Sequence, residues 1–304
     1  MQIILPIVAF FMLGFITRQA ISSPTALVKW LNNFIVYLAM PALILLKIPA
    51  LTITAEMFIP AAVAWIWLLV GSLIVIAVSR WRAWPRHIEA AMLLLVTMGN
   101  TSFLGYPMVL AFFNDSVLAY AIFFDQLGGF LILSTFGLVV VAIYRDPGSG
   151  EDNGIRLRQI LKRVVTFPPF LALVFAAIVP FNDVLHWADS SLELVSALLM
   201  PAALFVLGVQ FQPTLLPQHR APLLCAITLK MVIAPLMALS ILMLLGSTGN
   251  VRIATVFESA MPSMITPGLI AMQAGIAPRF IATLLGYSTV FAFVSLPLVA
   301  WLLR

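Results

Sequence analysis

The chain consists of apolar runs of about 20 residues that are separated by short polar connections. Runs of this length satisfy their own backbone hydrogen bonds only as helices, whereas membrane strands would show short alternating segments. The pattern therefore predicts an all-α membrane protein with about ten transmembrane helices. The predicted spans are 3–19, 31–48, 57–79, 88–113, 117–143, 164–181, 192–211, 221–245, 251–274 and 280–303.

Glycine, proline and small polar residues interrupt the fourth and ninth predicted spans, at 97–107 and 258–268. Proline lacks the backbone N–H and clashes with the preceding turn, so helical hydrogen bonding fails there. Lipid cannot satisfy the freed groups, and such backbone must lie inside protein or face water. Membrane carriers use paired breaks of this kind to build a solute site near the bilayer midplane. The two interruptions therefore predict a solute site.

Composition supports the membrane assignment independently of the breaks. The chain is 63% hydrophobic and 9% charged, with a mean hydropathy of +1.12. Ordinary soluble domains are about 25% charged. The ten predicted spans leave no stretch long enough for a domain outside the bilayer.

The distribution of basic residues predicts the orientation. Cytoplasmic loops of membrane proteins carry the excess of Lys and Arg. Odd-numbered connections hold twelve of them, whereas even-numbered connections and the termini hold three, which predicts a multi-pass inner-membrane protein with both termini outside the cytoplasm. Because the charge is spread over five inner loops, no nucleic-acid partner is expected. The twelve are Arg18, Lys29, Arg80, Arg82, Arg86, Arg145, Arg156, Arg158, Lys162, Arg163, Arg220 and Arg279.

A polar connection at 145–163 divides the chain into two predicted five-helix repeats, 1–144 and 164–304. A shift of 160 residues places the Met-Pro-Ala of 40–42 on that of 200–202, and the same shift places Pro107 on Pro267. An odd number of spans in each half means that the two halves insert with opposite orientation. The pattern therefore predicts inverted repeats with corresponding breaks.

The Met-Pro-Ala motif, together with Gly99-Asn100, Gly105 and Pro107, resembles the auxin efflux carrier family. This family includes bacterial permeases for small organic acids and the plant PIN carriers, and is similar in fold to the bile acid:sodium symporters. The resemblance implies a scaffold subdomain beside a transport subdomain, with spans four and nine crossing at their breaks near a bound carboxylate. It also implies a possible homodimer through spans two and seven. Plant members tend to have Asn where this chain has Thr266, so auxin is not carried over as the substrate.

Polar side chains and prolines at the two breaks are the predicted substrate-binding residues. Unwound backbone exposes donors to an anion, and the dipoles of helix N-termini favour negative charge there. The alternative is that the small polar side chains only satisfy the broken backbone. The predicted residues are Asn100, Thr101, Ser102, Pro107, Ser263, Thr266 and Pro267.

Three ionisable residues, Asp125, Lys230 and Glu258, lie within predicted spans. Charge at membrane depth is costly and faces a cavity or a partner. Counting along the helices places both acids about 10–12 Å from the outer surface and Lys230 about 14 Å from the cytoplasm. Either acid could carry a proton coupled to solute movement, and Lys230 could neutralise an acid or attract a carboxylate. The alternative is a purely structural salt bridge.

These features predict a secondary carrier of small organic anions, mono- or dicarboxylates, that works by alternating access and couples to H+, to Na+ or to neither. A sodium-coupled symporter of bile-acid type is the nearer alternative, and a membrane-embedded enzyme that uses Asp125 and Glu258 is the more distant one. The sequence has no paired metal ligands, nucleotide-binding lysine motif or nucleophile elbow. No enzyme activity, metal or cofactor is therefore expected, and the predicted partners are the solute, a coupling ion and the lipid bilayer.

Overall fold

The computed structural model describes residues 4–21, 24–49, 53–144, 165–178, 189–211 and 219–304. These residues form helices joined by short connections, and within the described ranges the only β-type pairing is one isolated bridge. The prediction of an all-α chain is thereby confirmed. The helices are α1 Ile4–Ala20, α2 Thr25–Lys47, α3 Ala55–Trp81, α4 Arg86–Thr97, α5 Thr101–Phe112, α6 Asp115–Tyr144, α7 Pro168–Ile178, α8 Ser190–Gln210, α9 Arg220–Leu244, α10 Gly249–Ser259, α11 Ile265–Gln273 and α12 Pro278–Leu302.

Six helices of the described ranges are long and apolar enough to cross a membrane, namely α2, α3, α6, α8, α9 and α12. Shorter apolar helices occupy the first, fourth and sixth predicted spans. Parts of the sixth span and the whole connection at 145–163 lie outside the described residues. The multi-pass prediction is therefore confirmed at the level of several apolar helices.

The second helix begins earlier than predicted. Helix α2 starts at Thr25, whereas the apolar run suggested a start at residue 31. Lys29, Asn32 and Asn33 consequently lie within its first turns rather than in a loop or at its edge. A helix can extend beyond its apolar run wherever its first turns face water, so hydropathy alone misplaced this start.

Wide π-helical turns precede three of the prolines inside helices. They span Ile35–Ala39 before Pro41, Thr101–Gly105 before Pro107, and Leu229–Ile233 before Pro235. A proline cannot donate and crowds the carbonyl four residues earlier. The wider turn shifts the hydrogen-bonding register, so the chain keeps a continuous helical path.

The breaks are shorter than predicted and are displaced from two of the prolines. The first covers only 98–100, so Pro107 lies inside α5, and the second covers 260–264. Pro267 is the third residue of α11, where its missing N–H would have had no helical partner in any case. Pro262 is the one proline that lies within a break.

The helices pack in two groups. One group pairs α1 with α8 and packs α7 and α8 against α2, whereas the other consists of α3 to α6 and α9 to α12. Gly14 and Gly208 let α1 and α8 touch, since a Cβ at either glycine would collide with the carbonyl of Phe205 or Phe11 on the facing helix. Helix α8 also contacts α5, which joins the two groups next to the first break.

Candidate functional site

The two helix breaks lie against each other and satisfy each other's backbone. The Asn100 N–H donates to the Pro262 carbonyl at 2.8 Å, and the Met264 N–H donates to the Met98 carbonyl at 3.0 Å. Gly99 and Ser263 form the antiparallel bridge between them. Backbone groups freed by the breaks are thus paired inside the protein, as their position in an apolar chain requires.

Two predicted site residues, Asn100 and Ser263, carry buried polar atoms without a hydrogen-bond partner in the described part of the chain. These atoms are the Asn100 amide nitrogen and the Ser263 hydroxyl. The side chains are 2% and 1% exposed. Buried polar groups are normally paired, so these two atoms need an explanation.

Thr101 and Ser102 bind an acid across the helix pair, and the Thr101 hydroxyl also lies 3.5 Å from the Gly99 carbonyl within the first break. Both hydroxyls donate to Asp125 Oδ1 on α6, the Ser102 bond at 2.6 Å. Tyr106 and Gln126 donate to the other oxygen, Oδ2, at 2.9 and 2.7 Å. Asp125 therefore accepts four hydrogen bonds and fixes α5 to α6.

Tyr106 and Gln126 were not among the predicted site residues. Tyr106 lies between Gly105 and Pro107 and is fully buried, while Gln126 is also fully buried. Both adjoin residues that were singled out from the sequence. The available signal for Gln126 was its position directly after Asp125, deep in an apolar span. The signal for Tyr106 was its position between two residues of the predicted break.

Glu258, at the end of α10, has no hydrogen-bond partner for either carboxylate oxygen in the described ranges, although it is fully buried. Its carboxylate lies over Gly105, where any Cβ would collide with both oxygens. The glycine between the first break and Pro107 therefore provides the space that Glu258 occupies.

Lys230, in the π-helical turn of α9, is 2% exposed. Its ammonium donates to the Ser259 carbonyl at 2.7 Å, next to the second break, and it lies beside Gly99 of the first. A cavity with room for about one water molecule adjoins it. Lys230 thus contacts both breaks from the side of α9.

The three buried charges do not form a direct salt bridge. Among the described residues, the direct ion pair is at the surface, between Lys47 of α2 and Asp115 of α6. Its Nζ and Oδ2 atoms are 2.8 Å apart. No group of three or more His, Cys, Asp or Glu able to hold a metal ion occurs in the described ranges. Asp125, Lys230 and Glu258 therefore surround the crossing from three helices as separate groups.

Thr266, Pro107 and Pro267 occupy more peripheral positions. Thr266 is half-buried in the first turn of α11, while both prolines are buried. The prolines cannot donate a hydrogen bond, so their contribution is to the shape of the crossing.

A cavity of about 670 Å³ lies between the two helix groups and reaches the first residue of α11, Ile265. It is amphipathic: Arg18, Lys29, Asn32 and Asn33 line it together with apolar side chains of α8, α11 and α12. Its basic residues, Arg18 near the end of α1 and Lys29 in the first turns of α2, are among those that predicted the cytoplasmic side. Small-molecule pockets in proteins combine such an apolar wall with a few polar groups.

One family model and several known proteins are similar to this chain. A family model described as "Membrane transport protein" matches residues 1–152 and 153–300. An uncharacterized transporter of Methanocaldococcus jannaschii is 26% identical over 284 residues, covering 90% of this chain and 89% of the relative. An uncharacterized transporter of Methanothermobacter thermautotrophicus is 30% identical over 223 residues, covering 71% and 67%. A Rhizobium meliloti protein named "Putative malonate transporter" is 24% identical over 306 residues, covering 95% and 92%.

Proposed function

Because the chain belongs to the membrane transport protein family, the auxin efflux carrier family that its motifs resemble, we propose that it is a secondary carrier of small organic anions. The substrates are mono- or dicarboxylates, and transport proceeds by alternating access around the crossing of the two breaks. The observation that carries this proposal is the pair of unpartnered polar groups, on Asn100 and Ser263, buried at that crossing.

An anion suits this crossing for electrostatic reasons. Helices α5 and α11 both begin there, at Thr101 and Ile265, and helix N-termini favour negative charge. The Asn100 amide can donate to a carboxylate oxygen, and the Ser263 hydroxyl can do the same. Thr101 and Ser102 act indirectly, by holding α5 to Asp125, while Thr266 lies one turn further along. Pro107 and Pro267 shape the two half-helices.

The 670 Å³ cavity is the proposed route between this site and the cytoplasm. Arg18 and Lys29 on its wall attract anions, since clefts lined by one sign of charge raise the local concentration of the opposite ion. We propose that α3 to α6 and α9 to α12 move as a transport unit against α1, α2, α7 and α8. This movement would close the cavity and open the crossing to the other side.

The same proposal includes the topology of the whole chain. Ten spans form two inverted repeats, 1–144 and 164–304, joined by a cytoplasmic connection at 145–163. The protein lies in the inner membrane with both termini outside the cytoplasm, and two copies associate through α2 and α8. The displaced but corresponding breaks, each followed by a short helix, α5 or α11, and then by a long one, α6 or α12, support the repeat.

Transport by the purified protein is the direct test. The protein is reconstituted in liposomes, and uptake of labelled malonate, other dicarboxylates and monocarboxylates is followed with and without internal unlabelled acid. The name of the Rhizobium meliloti relative motivates malonate as the first compound. Saturable uptake that internal acid accelerates is expected, whereas uptake indistinguishable from that of empty liposomes for every acid would refute the carrier proposal.

Asn100→Ala tests the site itself. Removing a hydrogen bond to a charged group costs about 1.5–3 kcal/mol, so the apparent affinity for the carboxylate is expected to fall about 10- to 100-fold. Asn250→Ala, in the first turn of α10 and at the other end of that helix from the second break, is the matched control and should transport normally. Unchanged affinity in a folded Asn100→Ala protein would exclude this residue from the site.

A further inference from the structure

The two buried acids beside the crossing have opposite surroundings. Asp125 accepts four hydrogen bonds from Thr101, Ser102, Tyr106 and Gln126, which is the environment of an ionised carboxylate. Glu258 is equally buried, yet neither of its oxygens accepts a hydrogen bond within the described ranges. An ionised carboxylate without donors is costly to bury, whereas a neutral carboxylic acid is far less so.

The titratable groups that face Glu258 come from three other helices. The charged groups are Asp125 on α6 and Lys230 on α9, and the neutral phenol of Tyr106 on α5 also faces it. Lys230 gives one of its three donors to the Ser259 carbonyl, and it does not reach Glu258 as an ion pair. With both acids and the lysine ionised, this cluster would hold one net negative charge at a site proposed to bind anions. One proton on Glu258 makes the cluster neutral.

The position of Glu258 connects it to the moving parts of the site. It belongs to the last turn of α10, directly before the second break, and its carboxylate fills the space over Gly105 beyond the first break. A change in how the two breaks meet therefore changes the surroundings of this carboxylate. When the crossing opens, water can reach Glu258 and take up its proton.

We propose that Glu258 is the proton-binding residue of a proton-coupled carrier, and that Asp125 is a structural acceptor. The inference rests on the proposed carrier function. A proton from water on one side binds a Glu258 carboxylate oxygen, crosses with the bound carboxylate, and returns to water on the other side. Only the O–H bond forms and breaks, and the residue alternates between the neutral acid and the carboxylate.

Proteoliposomes with an imposed pH difference separate this inference from the carrier proposal. One proton moving with the malonate dianion carries one net negative charge, so the membrane potential is held at zero with potassium and valinomycin. A difference of one pH unit then drives about tenfold accumulation of malonate in the more alkaline compartment. Exchange of external for internal malonate needs no net proton movement. Wild-type protein should show both activities, and a pH dye trapped in the vesicles should report protons moving with malonate.

Glu258→Gln should lose accumulation driven by the pH difference and retain exchange, because glutamine mimics the protonated acid permanently. Its exchange rate should also become independent of pH. Glu89→Gln is the matched control, since Glu89 lies at the end of the bundle and accepts a hydrogen bond from Tyr144 at 2.6 Å. This control should behave like the wild type in both assays.

Several outcomes would overturn the inference while leaving the carrier proposal intact. They are net uptake of malonate by the wild type without proton movement, accumulation driven by a sodium gradient alone, and normal accumulation in Glu258→Gln. Where Glu258→Gln fails to fold, the wild-type dye measurement can still overturn the inference, because net malonate uptake without proton movement would exclude proton coupling. Absence of wild-type exchange would instead count against the carrier proposal itself.

Discussion

Asp125 shows how a buried charge is held in an apolar helix bundle. Its four donors come from α5 and from its own helix, and Tyr106 and Gln126 also contact each other at 3.3 Å. Every donor that faces Asp125 is paired, whereas the Gln126 amide oxygen has no hydrogen-bond partner among the described residues. The acid therefore serves as the acceptor that collects the polar groups around the first break.

Asp125→Asn should destabilise the protein even though it removes a buried charge. The amide replaces one acceptor oxygen with a donor, so at least one hydroxyl of Thr101, Ser102 or Tyr106 loses its acceptor. Each buried donor left unpaired costs about 1–3 kcal/mol. The measurement is the thermal unfolding midpoint in detergent, which should fall by several degrees.

Asp115→Asn provides the comparison for that measurement. Asp115 pairs with Lys47 at the surface, and its side chain is 61% exposed. Surface pairs contribute about 0–1 kcal/mol, so this variant should melt near the wild type. Equal midpoints for the two variants would contradict the structural role of Asp125.

The sequence predicted which polar and charged residues lie near the crossing but not what each one contacts. Asn100, Ser263 and the three buried charges lie at or beside the crossing, as their positions in the breaks and spans suggested. Thr101 and Ser102 were expected to line the solute site, yet their hydroxyls face Asp125. Partners across a helix pair depend on helix rotation, which hydropathy does not determine.

At the level of helices, the close approach of α1 and α8 depends on two glycines. Gly14 and Gly208 each face the backbone of the other helix, near the carbonyls of Phe205 and Phe11. Small residues at such contacts allow membrane helices to pack through van der Waals contact, without a hydrophobic driving force. The contact stabilises the group that is proposed to stay fixed during transport.

Gly208→Ala should push α1 away from α8, because the added methyl group meets backbone rather than a movable side chain. Overpacking of this kind costs about 1–3 kcal/mol and lowers the thermal midpoint. Leu5→Ala, at a side chain that is 72% exposed, is the control on the same helix pair. A midpoint for Gly208→Ala equal to that of the control would show that the helices separate at no cost.

Helix boundaries could be predicted only in part, for reasons that differ between elements. The long apolar helices α3, α6, α9 and α12 agree with the predicted spans to within two residues at each end. Helix α2 starts six residues before its apolar run. The prolines suggested longer breaks, but π-helical turns accommodate Pro107 within α5. The hydropathy of a sequence does not reveal such a local change in the backbone hydrogen bonding of a helix.

At the scale of the whole molecule, the two breaks serve as one structural unit. Each exposes backbone groups that lipid could not pair, and each pairs them with the other through Asn100, Pro262, Met98 and Met264. A change confined to one break would leave the other with unpaired backbone. The two half-helix pairs are therefore expected to move together, which is the property that alternating access requires.

Chemical labelling of introduced cysteines can test the orientation of the chain directly. The single native cysteine, Cys225, is first replaced by serine so that only the introduced thiol reacts. In that background Thr248→Cys places a thiol in the exposed turn before α10, and Arg82→Cys places one after α3. With the excess of basic residues in the cytoplasm, intact cells treated with a membrane-impermeant maleimide should label the first variant only. Arg82→Cys should label after the membrane is permeabilised. The opposite pattern would place both termini in the cytoplasm and would assign the 670 Å³ cavity, with Arg18 and Lys29, to the outer side.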